Sequence, residues 1–161
     1  MIPCPRVIKR WWRSRGHGVH SPFAFRFIRN VLCDNGDYYS YSLIDGLHDD
    51  SAWLKLLFRL VCEFEPAVVE ASGLSVNERA VISLADSRVS VDESGQSVPG
   101  CLTLVGHDGM RVTVVRDIHA GAGTWSHVVD SMVSGMTFSN GRVGVAVPRA
   151  DLPRQDFDVR F

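Results

Sequence analysis

The sequence predicts an α/β protein: a shortened, mostly parallel sheet, an antiparallel hairpin at its C-terminal edge, and an N-terminal helical arm. Three observations predict it. The runs "AVVEASG" (67–73), "VNERAVISLA" (76–85) and "RVSVD" (88–92) follow one another as strand, turn, helix and strand. That order is a βαβ unit, which requires parallel pairing and a right-handed crossover. Further on, Asn140-Gly141 lies between two alternating apolar runs, the signal of a type I′ hairpin. Ahead of both, residues 5–14 and 22–33 carry apolar side chains at helical spacing.

Taken in order, the first helix carries Val7, Ile8, Trp11 and Trp12 and is broken by Gly16 and Gly18. Ser21-Pro22 reads as N-cap and first helical position, because Ser accepts a bond from an exposed amide and Pro lacks the amide that would be orphaned. Phe23, Phe27, Ile28 and Val31 continue that helix to about Cys33. A third helix follows Asp50-Ser51, with Trp53, Leu57, Leu60, Val61 and Phe64 on one stripe and Pro66 closing it. After the βαβ unit and a Gly, Ser and Pro-rich link over 94–100 come the strands "CLTLVG" and "RVTVVRD". A helix over 124–133, the hairpin and a last strand "FDVRF" complete the chain. Five to seven strands are expected. The organisation is read as an arm or cap over residues 1–50 and a domain over 51–161.

Composition excludes several classes. At 161 residues and 45% hydrophobic, one packed core is the default, and disorder is not expected. The longest apolar stretch is broken by Lys55 and Arg59, far short of the ~20 residues a membrane span needs. The N-terminus lacks the apolar run and cleavage site of a signal peptide, so a cytoplasmic location is expected. Cys4, Cys33, Cys62 and Cys101 are widely spaced with no C-x-x-C pair, which fits reduced, partly buried thiols better than zinc ligands or disulfides.

Charge is unevenly placed. Residues 1–30 hold Arg6, Lys9, Arg10, Arg13, Arg15, Arg26 and Arg29 and no acid, whereas the remainder has a balance of −8. Such an arm can bind phosphates or a lipid surface. The expectation here is that it lies on its own acidic body with Arg10, Arg13 and Arg15 facing acids, so that neither nucleic acid nor membrane is a partner.

With its elements in this order, the chain resembles the class I S-adenosylmethionine-dependent methyltransferases, and within them a bacterial O-methyltransferase-like group that opens on an H-G-x-H-S-P-F stretch. Here that stretch is "HGVHSPF", from His17 to Phe23. The resemblance extends through "YYSYSLIDGL", "LLFRLVCEFEP", "AVVEASG", "VTVVRDIH" and "RVGVAVPRADLPRQDFDVRF". It implies a Rossmann-like domain and S-adenosylmethionine as cofactor. Between Asp92 and Cys101 the chain is too short to hold the third strand and helix of such a domain. One sheet edge is therefore expected to be exposed, open to a homo-oligomer or to covering by Trp11, Trp12, Phe23 and Phe27.

The resemblance also assigns residues. Glu70 matches the acid near the methionine amine, and Ser72 and Gly73 lie in the turn where the cofactor's methionine part approaches the backbone. Ser72 and Val76 stand in place of two glycines of the pattern, a loss that adds bulk at the approach. "SVDES" supplies Asp92 and Glu93 at the end of the second strand, Asp92 matching the acid that accepts bonds from the ribose hydroxyls, and the alternative is a solvated strand end. Asp117 and His119 fall where the acceptor would bind. His107 and Asp108 end the preceding strand, displaced from the acid's place that Gly106 occupies. Arg116 replaces an acid, which would repel a divalent ion, so no metal is expected. His17 and His20 could close over the acceptor pocket, His20 as general base or orienting group; the alternative is that both position the arm around a helix start. Altered glycines, acid and βα unit together favour a methyltransferase-like remnant, a pseudoenzyme whose turnover is lost or weak. The alternatives are an active O-methyltransferase on an unidentified small-molecule acceptor, and a basic-arm binding module.

Overall fold

The computed structural model describes residues 5–16, 18–94, 100–120 and 123–161, with side chains from Ile8 onward. His17, Cys4 and most of the 94–100 link lie outside the described residues. The chain is mixed α/β, with six α-helices and seven strands among the described residues. It divides into two compact units, residues 35–110 and residues 1–34 with 111–161. The expected boundary near residue 50 falls inside the first of these.

The 35–110 unit contains α3 (Tyr39–Asp45), α4 (Ser51–Phe64), β1 (Val68–Ala71), α5 (Val76–Ala85), β2 (Ser90–Asp92) and β3 (Cys101–Val105). Asp50 caps α4 through Trp53 N at 3.2 Å, and Glu65 ends it in the left-handed region before Pro66. The helix buries Trp53, Leu54, Leu57, Leu60 and Val61 and packs against α5. The expected βαβ unit is present, with β1 and β2 parallel in the register Val68↔Ser90 and Glu70↔Asp92. The third strand corrects the expectation: β3 runs antiparallel to β1, Val68 facing Val105 and Ala71 facing Leu102.

Chain length explains the reversal. Residues 93–100 leave the end of β2 and must place β3 on the far side of β1, two strand spacings or about 10 Å away. That hop is within reach of so short a link when β3 starts at the end where β2 stops. A parallel β3 would need a crossover of about a dozen residues or more.

The other unit contains α1 (Pro5–Ser14), α2 (Pro22–Phe27), β4 (Arg111–Val115), α6 (Thr124–Ser131), β5 (Met136–Ser139), β6 (Gly144–Val147) and β7 (Gln155–Asp158). Ser21 caps α2 as expected, its hydroxyl accepting from Ala24 N at 3.3 Å. The helix does not run evenly to Cys33, since Ile28–Leu32 form a π-helical turn. Phe27, Ile28, Val31 and Leu32 are buried there, and Phe27 meets Phe138 of β5 with ring centroids 4.8 Å apart.

The strands of this unit run β4-β6-β5-β7. β6 is antiparallel to both β4 and β5, while β7 is parallel to β5. The tail is therefore not wholly antiparallel, and the mostly parallel sheet of the sequence reading becomes a mixed one. The β6 to β7 link hops over β5 at one end, as the β2 to β3 link hops over β1. The β5–β6 hairpin forms, but not through a type I′ turn, which needs positive φ at both central residues. Gly141 has φ +87°, whereas neither Asn140 nor Arg142 takes a positive φ. The Asn140 side chain instead accepts from the amides of Arg142 and Val143.

Candidate functional site

The four residues matched to cofactor binding all lie in the 35–110 unit. Glu70, one residue before the end of β1, is paired with Asp92 of β2, so parallel pairing brings the two acids together. Ser72 and Gly73 form the turn into α5, and Gly73 takes φ +71° with open space where a Cβ would project. This is the carboxyl end of a parallel strand pair, the place where open α/β sheets bind ligands.

The donors of that turn are nevertheless already used. Glu93, one residue beyond β2, accepts from Leu74 N at 3.1 Å and pairs with Arg79 of α5. The Arg79 guanidinium first, then the Leu74 amide, hold the Glu93 carboxyl below the usual range. Glu78 accepts from Ser75 N at 2.8 Å while Ser75 Oγ accepts from Glu78 N at 3.1 Å, a complete capping box. Asp92 turns back on its own loop, accepting from Ser94 Oγ at 2.6 Å and Ser94 N at 2.8 Å. Those two bonds, the hydroxyl's first, lower its carboxyl. Val76, where the pattern has its last glycine, projects at the helix start with 82% of its surface exposed. Sequence reasoning had Glu93 beside Asp92 at the strand end but missed its partners Leu74 and Arg79, and it missed Glu78. The spacing Ser-x-x-Glu at 75–78 was a legible capping signal.

Reversal of β3 moves the next group of candidates. Val105 faces Val68, so Gly106, His107 and Asp108 follow β3 beside the start of β1, at the opposite end of these strands from Glu70, Ser72 and Gly73. Asp86, which lies before β2, has its carboxyl lowered chiefly by its bonds from Arg88 and least by His107. Asp108 folds onto its own turn, accepting from Met110 N at 2.9 Å.

Asp117, His119 and His20 belong to the other unit. Ile118 N donates to Arg142 O at 2.8 Å and so ties the loop after β4 to the hairpin turn. Asp117 accepts from His119 N at 2.9 Å. His119 lines a cleft of about 570 Å³ with Arg10, Arg13, Trp125, Thr137 and Asp158 among its walls. That volume is within the usual range for small-molecule sites. Trp125 can lie flat on β6 only because residue 144 is glycine, since a Cβ there would come within 2.5 Å of the ring. His20 is exposed immediately before the Ser21 cap and is not among the residues lining the cleft.

The arm meets this unit through α1 and β7. Arg10 Nε donates to Asp158 Oδ1 at 2.5 Å, as the charge balance predicts for this arginine. Arg15 instead lies over the Trp11 ring, 4.1 Å from its centroid. Trp11 and Trp12 are 41% and 52% exposed, whereas Phe27, stacked on Phe23, is fully buried. Cys62 is exposed, while Cys33 and Cys101 are half-buried, and burial pushes the Cys101 thiol up. Among the described residues no three His, Cys, Asp or Glu side chains group as metal ligands, and no helix is long and apolar enough to cross a membrane. The chain was compared with protein-family models, curated proteins and solved structures, and it matches none of them.

Proposed function

We propose that this chain is a methyltransferase-like α/β protein, related by descent to the class I S-adenosylmethionine-dependent enzymes, that has lost turnover. One observation carries the reading: β3 is antiparallel to β1. A site at the carboxyl ends of parallel strands draws its groups from several strand ends on one side of the sheet. Here the end of β3 points away from Glu70 and Asp92, so His107 and Asp108 cannot serve a ligand at the β1 turn. The occupied turn adds to this. A cofactor's carboxylate would have to displace Glu93 from Leu74 N, and its ribose would have to displace Ser94 from Asp92. These residues do not fit S-adenosylmethionine as they stand.

A second reading, an active O-methyltransferase, draws support from the cleft beside His119. It requires cofactor binding, so one measurement separates the two. In calorimetric titration of the full chain with S-adenosylmethionine or S-adenosylhomocysteine, no saturable heat is expected into the millimolar range, a binding free energy weaker than about −4 kcal/mol. Micromolar binding that disappears in Asp92→Ala would overturn the proposal.

A further inference from the structure

The first helix segregates its side chains and then turns the unexpected side outward. Ile8, Trp11 and Trp12 recur at the i, i+3, i+4 spacing of one helical stripe, Arg10 and Arg13 fall on the opposite side, and exposed Lys9 lies at the border between the two. An amphipathic surface helix normally buries its apolar stripe and leaves its charges in water. In α1 the basic side meets the protein: Arg10 is paired with Asp158 of β7, and Arg13 lines the cleft bounded by Asp156 and Asp158. The apolar stripe faces outward and is only partly covered, with Ile8 42%, Trp11 41% and Trp12 52% exposed. Two adjacent indoles on the outside of a helix are a large apolar group for a surface to carry, and such groups mark interaction sites.

The chemistry around the stripe selects its partner. Exposed Lys9 and Arg15 flank the indoles, Arg15 stacked on Trp11, and residues 1–30 contain no acid. Trp is suited to the boundary between headgroups and acyl chains, where its ring is apolar and its N–H stays wet. Lys and Arg beside it suit anionic headgroups. A second copy of the chain is a poor occupant, because joining two such faces would bring two acid-free basic arms together. Nucleic acid is also disfavoured, since Arg10 is paired with Asp158 and Arg13 lines the cleft beside it rather than a phosphate track.

We infer that the outward face of α1 is a docking surface for an anionic lipid bilayer, holding the protein on the membrane without crossing it. This goes beyond the loss of turnover proposed above and does not depend on it.

The test uses the full chain with vesicles of phosphatidylcholine alone and vesicles carrying roughly a third phosphatidylserine. Co-sedimentation with the anionic vesicles is expected, weakened by salt and much reduced on the neutral ones. Tryptophan emission should be quenched by bromine-labelled lipid, since Trp11 and Trp12 reach the interface while Trp53 is buried. The pairs Trp11→Ala with Trp12→Ala, and Lys9→Glu with Arg15→Glu, should each lower vesicle affinity by about tenfold or more while leaving the melting curve unchanged. The quenching measurement needs no variant and so stands if either pair fails to fold. Absence of anionic-vesicle binding overturns the inference, as does binding that persists without the indoles. So does self-association, or oligonucleotide binding, that the same substitutions abolish while vesicles are ignored.

Discussion

Replacing Glu78 by alanine tests whether the turn after β1 is held shut by its own side chains. Glu78 is a charged residue only 5% exposed. Its carboxylate accepts from Trp53 Nε1 and from Ser75 N, each at 2.8 Å. Truncation leaves the buried indole N–H without a partner, at about 1–3 kcal/mol. It also removes half of the capping box, and caps contribute about 0.5–2 kcal/mol. A loss of about 3 kcal/mol is expected, which for a chain of this length lowers the melting temperature by about 6–12 °C.

Urea unfolding followed by far-ultraviolet circular dichroism reads the loss, and a double-mutant cycle with Trp53→Phe apportions it. Because Phe has no N–H to orphan, Glu78→Ala should cost about 1–2 kcal/mol less in the Trp53→Phe background. Glu78→Gln, whose single acceptor oxygen cannot serve both donors fully, should fall between wild type and alanine. A cost for Glu78→Ala below about 0.5 kcal/mol, or strict additivity with Trp53→Phe, would refute the argument that the carboxylate links α4 to the start of α5.

Other perturbations have equally direct outcomes. Phe27→Ala empties a fully buried position between Phe23 and Phe138 and should cost about 3–5 kcal/mol in the same urea assay. Gly135→Ala would place a Cβ 2.3 Å from Val147 O at φ +107°; backbone cannot yield cheaply there, so loss of folded protein on expression is expected. Asp86, paired with Arg88, titrates at about 2 instead of 3.8. A depressed carboxyl stabilises the fold above its unfolded value and ceases to do so as the pH falls through the folded one. The contribution should vanish between pH 3.8 and about 2, and Arg88→Ala should remove that part of the acid-unfolding slope.

Elements whose start signals lie in adjacent residues were legible in the sequence. Asp50 before the α4 stripe, Ser21-Pro22 before α2 and the βαβ order around α5 each locate a terminus from local chemistry. Helix α3 was not legible, because among its residues only Ile44 is buried and no apolar period marks it. The turn type at Asn140-Gly141 was misjudged for a related reason: the Asn140 side chain, rather than its backbone carbonyl, receives the closing amides. At the candidate site, parallel pairing was enough to bring Glu70 beside Asp92. It could not reveal that Glu93 would reach back to Leu74, since that bond depends on how the chain leaves β2.

Strand direction is where a local reading fails and chain length decides. "CLTLV" has the same alternating burial whether it pairs with β1 in one sense or the other, because a strand buries the same face in both. What distinguishes the two senses is the connection before it, and residues 93–100 permit only the short hop. A short link after a parallel strand pair therefore sets the direction of the strand that follows. With β3 antiparallel to β1, His107 and Asp108 follow at the end of these strands opposite the β1 turn. The resemblance implied an acceptor site around those residues, whereas their positions within the unit do not bring them to Glu70 and Asp92. On the loss of turnover proposed above, substitution at the β1 turn alone, for example Val76→Gly with Ser72→Gly, should yield no methyl transfer. Methyl transfer from labelled S-adenosylmethionine by that double variant would show that β3 direction does not control the site.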